Sequence, residues 1–347
     1  MTGVQQVTIG EDEAEQRLDR WFRKRWPHVS QGRIEKMCRK GEIRVDGGRV
    51  KAATRVEPGQ VVRVPPLPRP SEGVDRAERP TQRVDKADAA MLHDAVLFRD
   101  EHVIVLNKPP GLAVQGGSGQ KRHLGSMLSA VRFGRSDDPR LVHRLDKDTS
   151  GVLVLARTGV AATDLARQFR GRDVEKTYVA AVAGRPELSA GTIRFGLVKA
   201  GGRGNEKMQV VHPNEIRATD GAQTATTDFR VLDQAGQRLA WVALRPVTGR
   251  THQLRAHMAA IGCPIAGDGK YGGRSQENLG DGWGAGLGGA LSRKLHLHAA
   301  RLSFLHPVTD DRISFEAPLP EHMARTWDLM GWRYADLPED PFTEDEF

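Results

Sequence analysis

Four uninterrupted apolar runs, at 103–106, 152–155, 178–182 and 239–244, constrain this chain more than any other feature. Each is short and carries β-branched or aromatic side chains, the pattern of a buried strand. Helical spacing appears around 159–169, 251–261 and 320–330. Strand and helix do not alternate strictly. The expected class is therefore α+β, with a mixed, mainly antiparallel sheet and flanking helices. The 347 residues are enough for about two domains, and enough to bury a core without disulfide or metal staples. No apolar stretch approaches the roughly 18 residues of a membrane-spanning helix, and mean hydropathy is −0.50.

Charge divides the chain. It carries 52 Lys and Arg against 44 Asp and Glu, a net of +8, and its pI is near 9.7. Such a balance suits a polyanionic partner, most often a nucleic acid. Residues 17–55 hold 13 Lys and Arg against Asp19, Glu35, Glu42 and Asp46, a net of +9. That stretch lies within a small N-terminal α/β domain predicted at 11–65. Leu18, Trp21 and Phe22 recur at helical spacing. Ser30 and Gly41 read as N-cap and C′ residue of a second helix, with Ile34, Met37 and Cys38 on its apolar face. Arg33, Lys36 and Lys40 form a basic face beside it. A hairpin turning at Asp46-Gly47-Gly48 is expected next, then a strand through Val61-Val62-Arg63-Val64.

Residues 66–92 are charged and Pro-rich, and read as a linker. A larger domain is expected at 93–330. Inside it, 272–290 hold eight glycines and read as a flexible insertion. An acidic tail is expected at 331–347. Its last twelve residues hold six acids and are expected to be disordered. With only Cys38 and Cys263, neither a disulfide framework nor a cysteine-rich zinc site is expected. The N-terminus has no charged-then-apolar leader pattern and turns acidic at Glu11-Asp12-Glu13, so a reduced, cytoplasmic setting is expected.

The most informative stretch is His143-Arg144-Leu145-Asp146-Lys147-Asp148-Thr149-Ser150-Gly151. It is a multiply charged loop that opens directly into a buried strand, where rigid scaffolds place reactive groups. A solvated turn with local ion pairs is the alternative. The second stretch is Thr248-Gly249-Arg250-Thr251-His252-Gln253-Leu254-Arg255-Ala256-His257. Thr248 or Thr251 is expected to cap a helix carrying Arg255 near its anion-favouring start; a basic surface helix is the alternative. His252 and His257 are five apart, not at the i, i+4 spacing of a helical zinc pair, so no metal is expected. Lys108, in Asn107-Lys108-Pro109-Pro110-Gly111, reads as a phosphate contact. Lys176-Thr177-Tyr178 opens a strand, and Tyr178 there is placed to stack a base or to sit as an ordinary core tyrosine. His296 and His298 alternate with Leu295 and Leu297, as in a strand with one wet face, and are given no role.

Taken together these motifs resemble the RluA-type pseudouridine synthases. The 143–151 stretch resembles that family's signature, and 107–111, 176–178 and 249–255 stand in the family's order and rough spacing. The resemblance spans about 96–320. The N-terminal unit resembles the alpha-L RNA-binding domain of ribosomal proteins, and the combination is most similar to synthases acting on large-subunit ribosomal RNA. The resemblance implies isomerisation of uridine: the C1′–N1 bond breaks, the uracil turns, and C5 bonds to C1′. It makes Asp146 the catalytic aspartate and Arg255 the arginine that pairs with it. Tyr178 would pack on the target base, and Arg144 would fill the gap left by base flipping. His143, Lys108, Lys176, Arg250, Arg33, Lys36 and Lys40 are the remaining expected RNA contacts. No cofactor or metal is implied, since substrate and product are isomers. The expected partner is ribosomal RNA and the expected state a monomer. A tRNA-directed synthase, a non-catalytic assembly factor and a metal-dependent phosphoesterase using Asp146 and Asp148 are the competing readings.

Overall fold

The computed structural model describes residues 3–13, 16–67, 84–116, 122–171, 173–200, 207–272 and 291–343. Most of the expected linker (68–83), all but the first residue of the glycine-rich insertion (273–290) and the last four residues lie outside these. The chain forms two compact units, 1–80 and 81–347.

In the first unit, β1 (Gln5–Thr8) pairs antiparallel with β4 (Val61–Val64), and β4 pairs with β2 (Arg44–Val45). A tight turn through Asp46 and Gly47, both at positive φ, joins β2 to β3 (Gly48–Arg49). Helices α1 (Leu18–Arg25) and α2 (Gln31–Lys40) cover the sheet. Leu18, Trp21, Phe22 and Ile34 are fully buried, as their spacing predicts. Gly41 ends α2 in the left-handed conformation. Ser30 occupies the N-cap position, but its hydroxyl makes no cap bond. Cys38 is buried on the inner face.

The second unit is one eleven-stranded sheet among the described residues. Helix α3 (Lys86–Asp94) leads into β5 (Val96–Arg99) and β6 (Val103–Lys108). A short α4 (Leu124–Met127) and β7 (Arg140–Leu141) precede β8 (Ser150–Ala156). Then come α5 (Gly159–Arg170), β9 (Glu175–Ala183), β10 (Ala190–Ala200), β11 (Lys207–Val211), β12 (Gln223–Ala235) and β13 (Leu239–Pro246). Helix α6 (Gln253–Ala260), β14 (Leu297–Leu305), β15 (Arg312–Glu316) and α7 (Glu321–Met330) complete it. The strand order is β11-β10-β12-β13-β9-β14-β8-β6-β5, with β7 on β8 and β15 on β14. Every pairing is antiparallel except β8 with β14, so the sheet is mixed and mainly antiparallel.

The apolar runs are continuous because both faces of the sheet are covered. Ile104, Leu106, Leu153 and Leu155 pack on one face with Leu92 of α3 and Leu124 of α4, and Val242 and Leu244 with Leu254 of α6. On the other face Val103, Val105, Val152 and Val154 meet Ala161 and Leu165 of α5, and Trp241 meets Met323 and Trp327 of α7. No helix among the described residues is long and apolar enough to cross a membrane.

Three expectations about local structure are corrected. His296 and His298 have no wet face, since both are fully buried. Their ring nitrogens are matched by the Lys294 carbonyl and Thr326 Oγ1 for His296, and by Ser150 Oγ and the Ala317 carbonyl for His298. The acidic segment is ordered over its described residues, which run to Thr343. Trp332 and Leu337 are buried, Arg301 binds the Leu337 and Glu339 carbonyls, and Arg230 binds those of Pro341 and Thr343. Backbone carbonyls, not the acids, make most of those contacts, so composition alone misleads. Finally, neither Thr248 nor Thr251 caps α6. The N-cap is His252, in the left-handed conformation at φ 52°.

Candidate active site

A cleft of about 490 Å³ opens where β8 and β9 begin and β13 ends, within the roughly 300–1,000 Å³ of ligand pockets. The 143–149 loop forms one wall, Lys176 and Tyr178 of β9 another, and the 248–252 turn with Arg255 of α6 a third. Four stretches singled out in the sequence converge on this end of the sheet, and three of them line the cleft.

Asp146 stands in it with its side chain 20% exposed. Its Oδ2 lies 3.7 Å from Arg255 Nη1 and 3.9 Å from His252 Nε2. Arg255 faces Asp146 with one edge only. Its other edge forms a bidentate pair with Asp268, Nε to Oδ2 at 2.7 Å and Nη2 to Oδ1 at 2.8 Å. Asp268 is completely buried at the side chain and also accepts the backbone N–H groups of Lys270 and Tyr271. Burial opposes the Arg255 charge, but the bonds and charge of Asp268 and the charge of Asp146 outweigh it and raise its pKa. The Tyr271 ring lies 5.3 Å from the Arg255 guanidinium. The arginine is thus locked from behind and offers Asp146 a fixed cation.

The loop bearing Asp146 is braced at both ends. Lys108 is 1% exposed, and its Nζ donates to the carbonyls of Pro109, Leu112 and Lys147 at 2.8, 2.9 and 3.1 Å. Three acceptors use all three N–H bonds of an ammonium, although burial pushes its pKa down to about 7. Lys108 is therefore not a phosphate contact, which corrects the expectation; it ties the loop to the end of β6. His143 is corrected likewise. Its ring stacks on Phe169 at 4.1 Å, its Nε2 accepts the Val154 N–H at 2.8 Å, and burial drives its pKa down to about 3. It lines the cleft as a neutral brace, not a cation. At the far end of the loop, Gly151 sits at φ 109°, where a Cβ would fall inside the Ala299 carbonyl of β14. Only glycine lets β8 approach β14 there.

Tyr178 is half-buried, and burial pushes its hydroxyl pKa up, so the ring is neutral. Arg144 is exposed on the rim and reaches Thr251 Oγ1 at 3.4 Å. Arg250 is exposed opposite, its Nε 3.3 Å from the Thr224 carbonyl. Lys176 makes no salt bridge among the described residues, and burial lowers its pKa. Gln253 fixes the turn: its Oε1 accepts from Thr248 Oγ1 and the Arg250 N–H, and its Nε2 donates to the Thr226 carbonyl and Thr227 Oγ1. In the N-terminal unit, Arg33, Lys36 and Lys40 share one surface of α2.

Asp268, Tyr271 and His252 were not assigned roles by the sequence. The available signal was a lone acid after the apolar Pro264-Ile265-Ala266-Gly267, directly beyond α6.

Residues 102–260 match the family model described as RNA pseudouridylate synthase, and residues 16–62 match the S4 domain. The chain is 36% identical over 324 residues to a protein named ribosomal large subunit pseudouridine synthase C from Vibrio cholerae serotype O1, covering 93% of this chain and 95% of that one. It is 37% identical over 326 residues to the protein of that name from Escherichia coli strain K12, covering 93% and 95%. Among solved structures, human RNA pseudouridylate synthase domain containing 4 superposes with a TM-score of 0.57 at 31% identity, over 70% of this chain and 95% of that one.

Proposed function

Because the chain belongs to the RNA pseudouridylate synthase family and is an RNA pseudouridine synthase, we propose that it converts uridines of large-subunit ribosomal RNA to pseudouridine, with Asp146 as the catalytic carboxylate. The observation that carries this reading is the exposed edge of Asp146, held in the cleft against an arginine whose other edge is spent on Asp268. The substrate follows the names of the relatives, and the S4 match supplies an RNA-binding unit.

Breaking the C1′–N1 bond develops positive charge on the ribose, and a carboxylate beside C1′ stabilises or traps it. The detached uracil then turns, C5 bonds to C1′, C5 loses its hydrogen as a proton and N1 gains one. No electron is gained or lost overall. Arg255 holds the Asp146 carboxylate in line with the ribose. Tyr178 packs on the uracil, and Arg144, exposed and weakly tethered, fills the space the flipped nucleotide leaves. Lys176 and Arg250 meet flanking phosphates. In the N-terminal unit, Arg33, Lys36 and Lys40 grip phosphates without reading sequence.

The test is tritium release from RNA carrying C5-labelled uridine, since each turnover expels that hydrogen. Release from large-subunit ribosomal RNA by the wild type, abolished in Asp146→Asn, is the expected result. Release from tRNA alone overturns the substrate. Tight RNA binding with no release from either RNA overturns catalysis by this chain.

A further inference from the structure

The Asp146 carboxylate faces a second nitrogen besides Arg255, and that nitrogen is held from behind as well. His252 Nε2 lies 3.9 Å from Asp146 Oδ2, while its Nδ1 lies 3.0 Å from the Tyr271 hydroxyl. That hydroxyl accepts the Met208 N–H of β11 at 2.9 Å. With its acceptor side so occupied, the phenol turns its own hydrogen to His252 Nδ1, its other partner among the described residues. Nδ1 is then the acceptor, and the ring proton resides on Nε2, on the side of Asp146; this tautomer is assigned from the hydrogen-bond network. The backbone adds a separate observation. His252 is one of only four described non-glycine residues at positive φ, a strained conformation that concentrates at working sites. It sits there at the N-cap of α6, three residues before Arg255.

We propose that His252 is a positioning residue for Asp146: Tyr271 holds its imidazole in the Nε2–H tautomer, and that N–H points at the carboxylate. At 3.9 Å the contact is longer than a hydrogen bond, and contacts of this kind tighten when substrate closes the site. Arg255 and His252 then grip one carboxylate from two directions, and both are anchored through the 268–271 segment, Arg255 by Asp268 and His252 by Tyr271. The inference rests on the reading of Asp146 as the catalytic group.

The tautomer makes the device sensitive to acid. A proton added at Nδ1 displaces the Tyr271 hydrogen bond. The groups facing the ring are Asp146 and Asp268, which favour that proton, and Arg255 and Lys270, which oppose it. Burial opposes it more than any of them, so the imidazole stays neutral to a lower pH than an ordinary histidine.

The experiment compares kcat, KM and the pH profile of kcat for wild type, Tyr271→Phe, His252→Asn and Asp146→Asn, by tritium release from the full-length RNA. Tyr271→Phe keeps the ring against Arg255, and asparagine tolerates the left-handed backbone, so both variants are expected to melt within a few degrees of wild type. In each, kcat is expected to fall about tenfold, the effect of one hydrogen bond, with KM unchanged. In wild type an acid-side fall in kcat is expected to set in below the ordinary histidine pKa, and in His252→Asn the part of that fall due to the imidazole is expected to be lost. Wild-type kcat and an unchanged acid limb in both variants overturn the inference while leaving the catalytic aspartate standing. Losses of kcat that track losses of melting temperature in both variants overturn it too. Full activity in Asp146→Asn overturns both readings.

Discussion

Neutralising Asp268 would strand the Arg255 guanidinium, 7% exposed, without its bidentate partner. Breaking a buried pair from one side costs about 3–5 kcal/mol. Asp268→Asn is therefore expected to lower stability by that order in urea unfolding and to abolish tritium release even where the protein remains folded. Lys108 gives a different signature. A phosphate contact, when lost, raises KM for RNA and flattens its salt dependence. Lys108→Met instead strips the donors from three carbonyls, one of them that of Lys147, next to Asp146. The expected result is a loss of kcat with KM and the salt slope unchanged; the opposite split would return Lys108 to the RNA interface. What the sequence could say of these residues follows from how they act. Asp146, Arg255 and Tyr178 sit in spaced motifs that announce themselves. Asp268 and Tyr271 act through partners 13 and 19 residues away, and no local pattern carries that. Lys108 and His143 have the right residue types for RNA but are consumed by backbone groups that only the folded chain brings near.

Among the elements, the N-terminal helices carry a pH dependence of their own. Glu13 accepts from the Arg25 guanidinium and from the Trp21 indole N–H, and these bonds pull its carboxyl down from 4.5 to about 2. A carboxylate whose pKa is depressed by folding stabilises the fold above its unfolded pKa and loses that contribution as the pH drops towards the folded value. Glu13→Gln is thus expected to speed hydrogen exchange of the Trp21 indole N–H at pH 7. Between pH 4.5 and about 2 the variant and the wild type are expected to converge. A difference that persists unchanged to low pH would mean that Glu13 acts through packing. The N-terminal helices themselves were legible from apolar spacing, whereas α3 (Lys86–Asp94) falls largely in the stretch read as a linker. The start of α6 was not legible, because its N-cap is a strained histidine in place of a capping threonine.

For the whole molecule, the class and the mixed sheet were legible because strand and helix patterns do not alternate strictly along the chain. The order of strands was not legible, because it depends on β14 entering between β8 and β9 from far down the chain. That insertion has a consequence in time. Strand β8 ends at Ala156 and β9 at Ala183, yet the strand that joins them begins only at Leu297. During synthesis, at about 5–20 residues per second, the two halves of the sheet wait for a seam that is made only after β10 to β13 and α6. Until it arrives, the wall bearing Asp146 and the wall bearing Tyr178 have no common strand between them. A nascent chain is therefore expected to hold no assembled cleft until β14 has left the exit tunnel, because before then its two walls have nothing to join them.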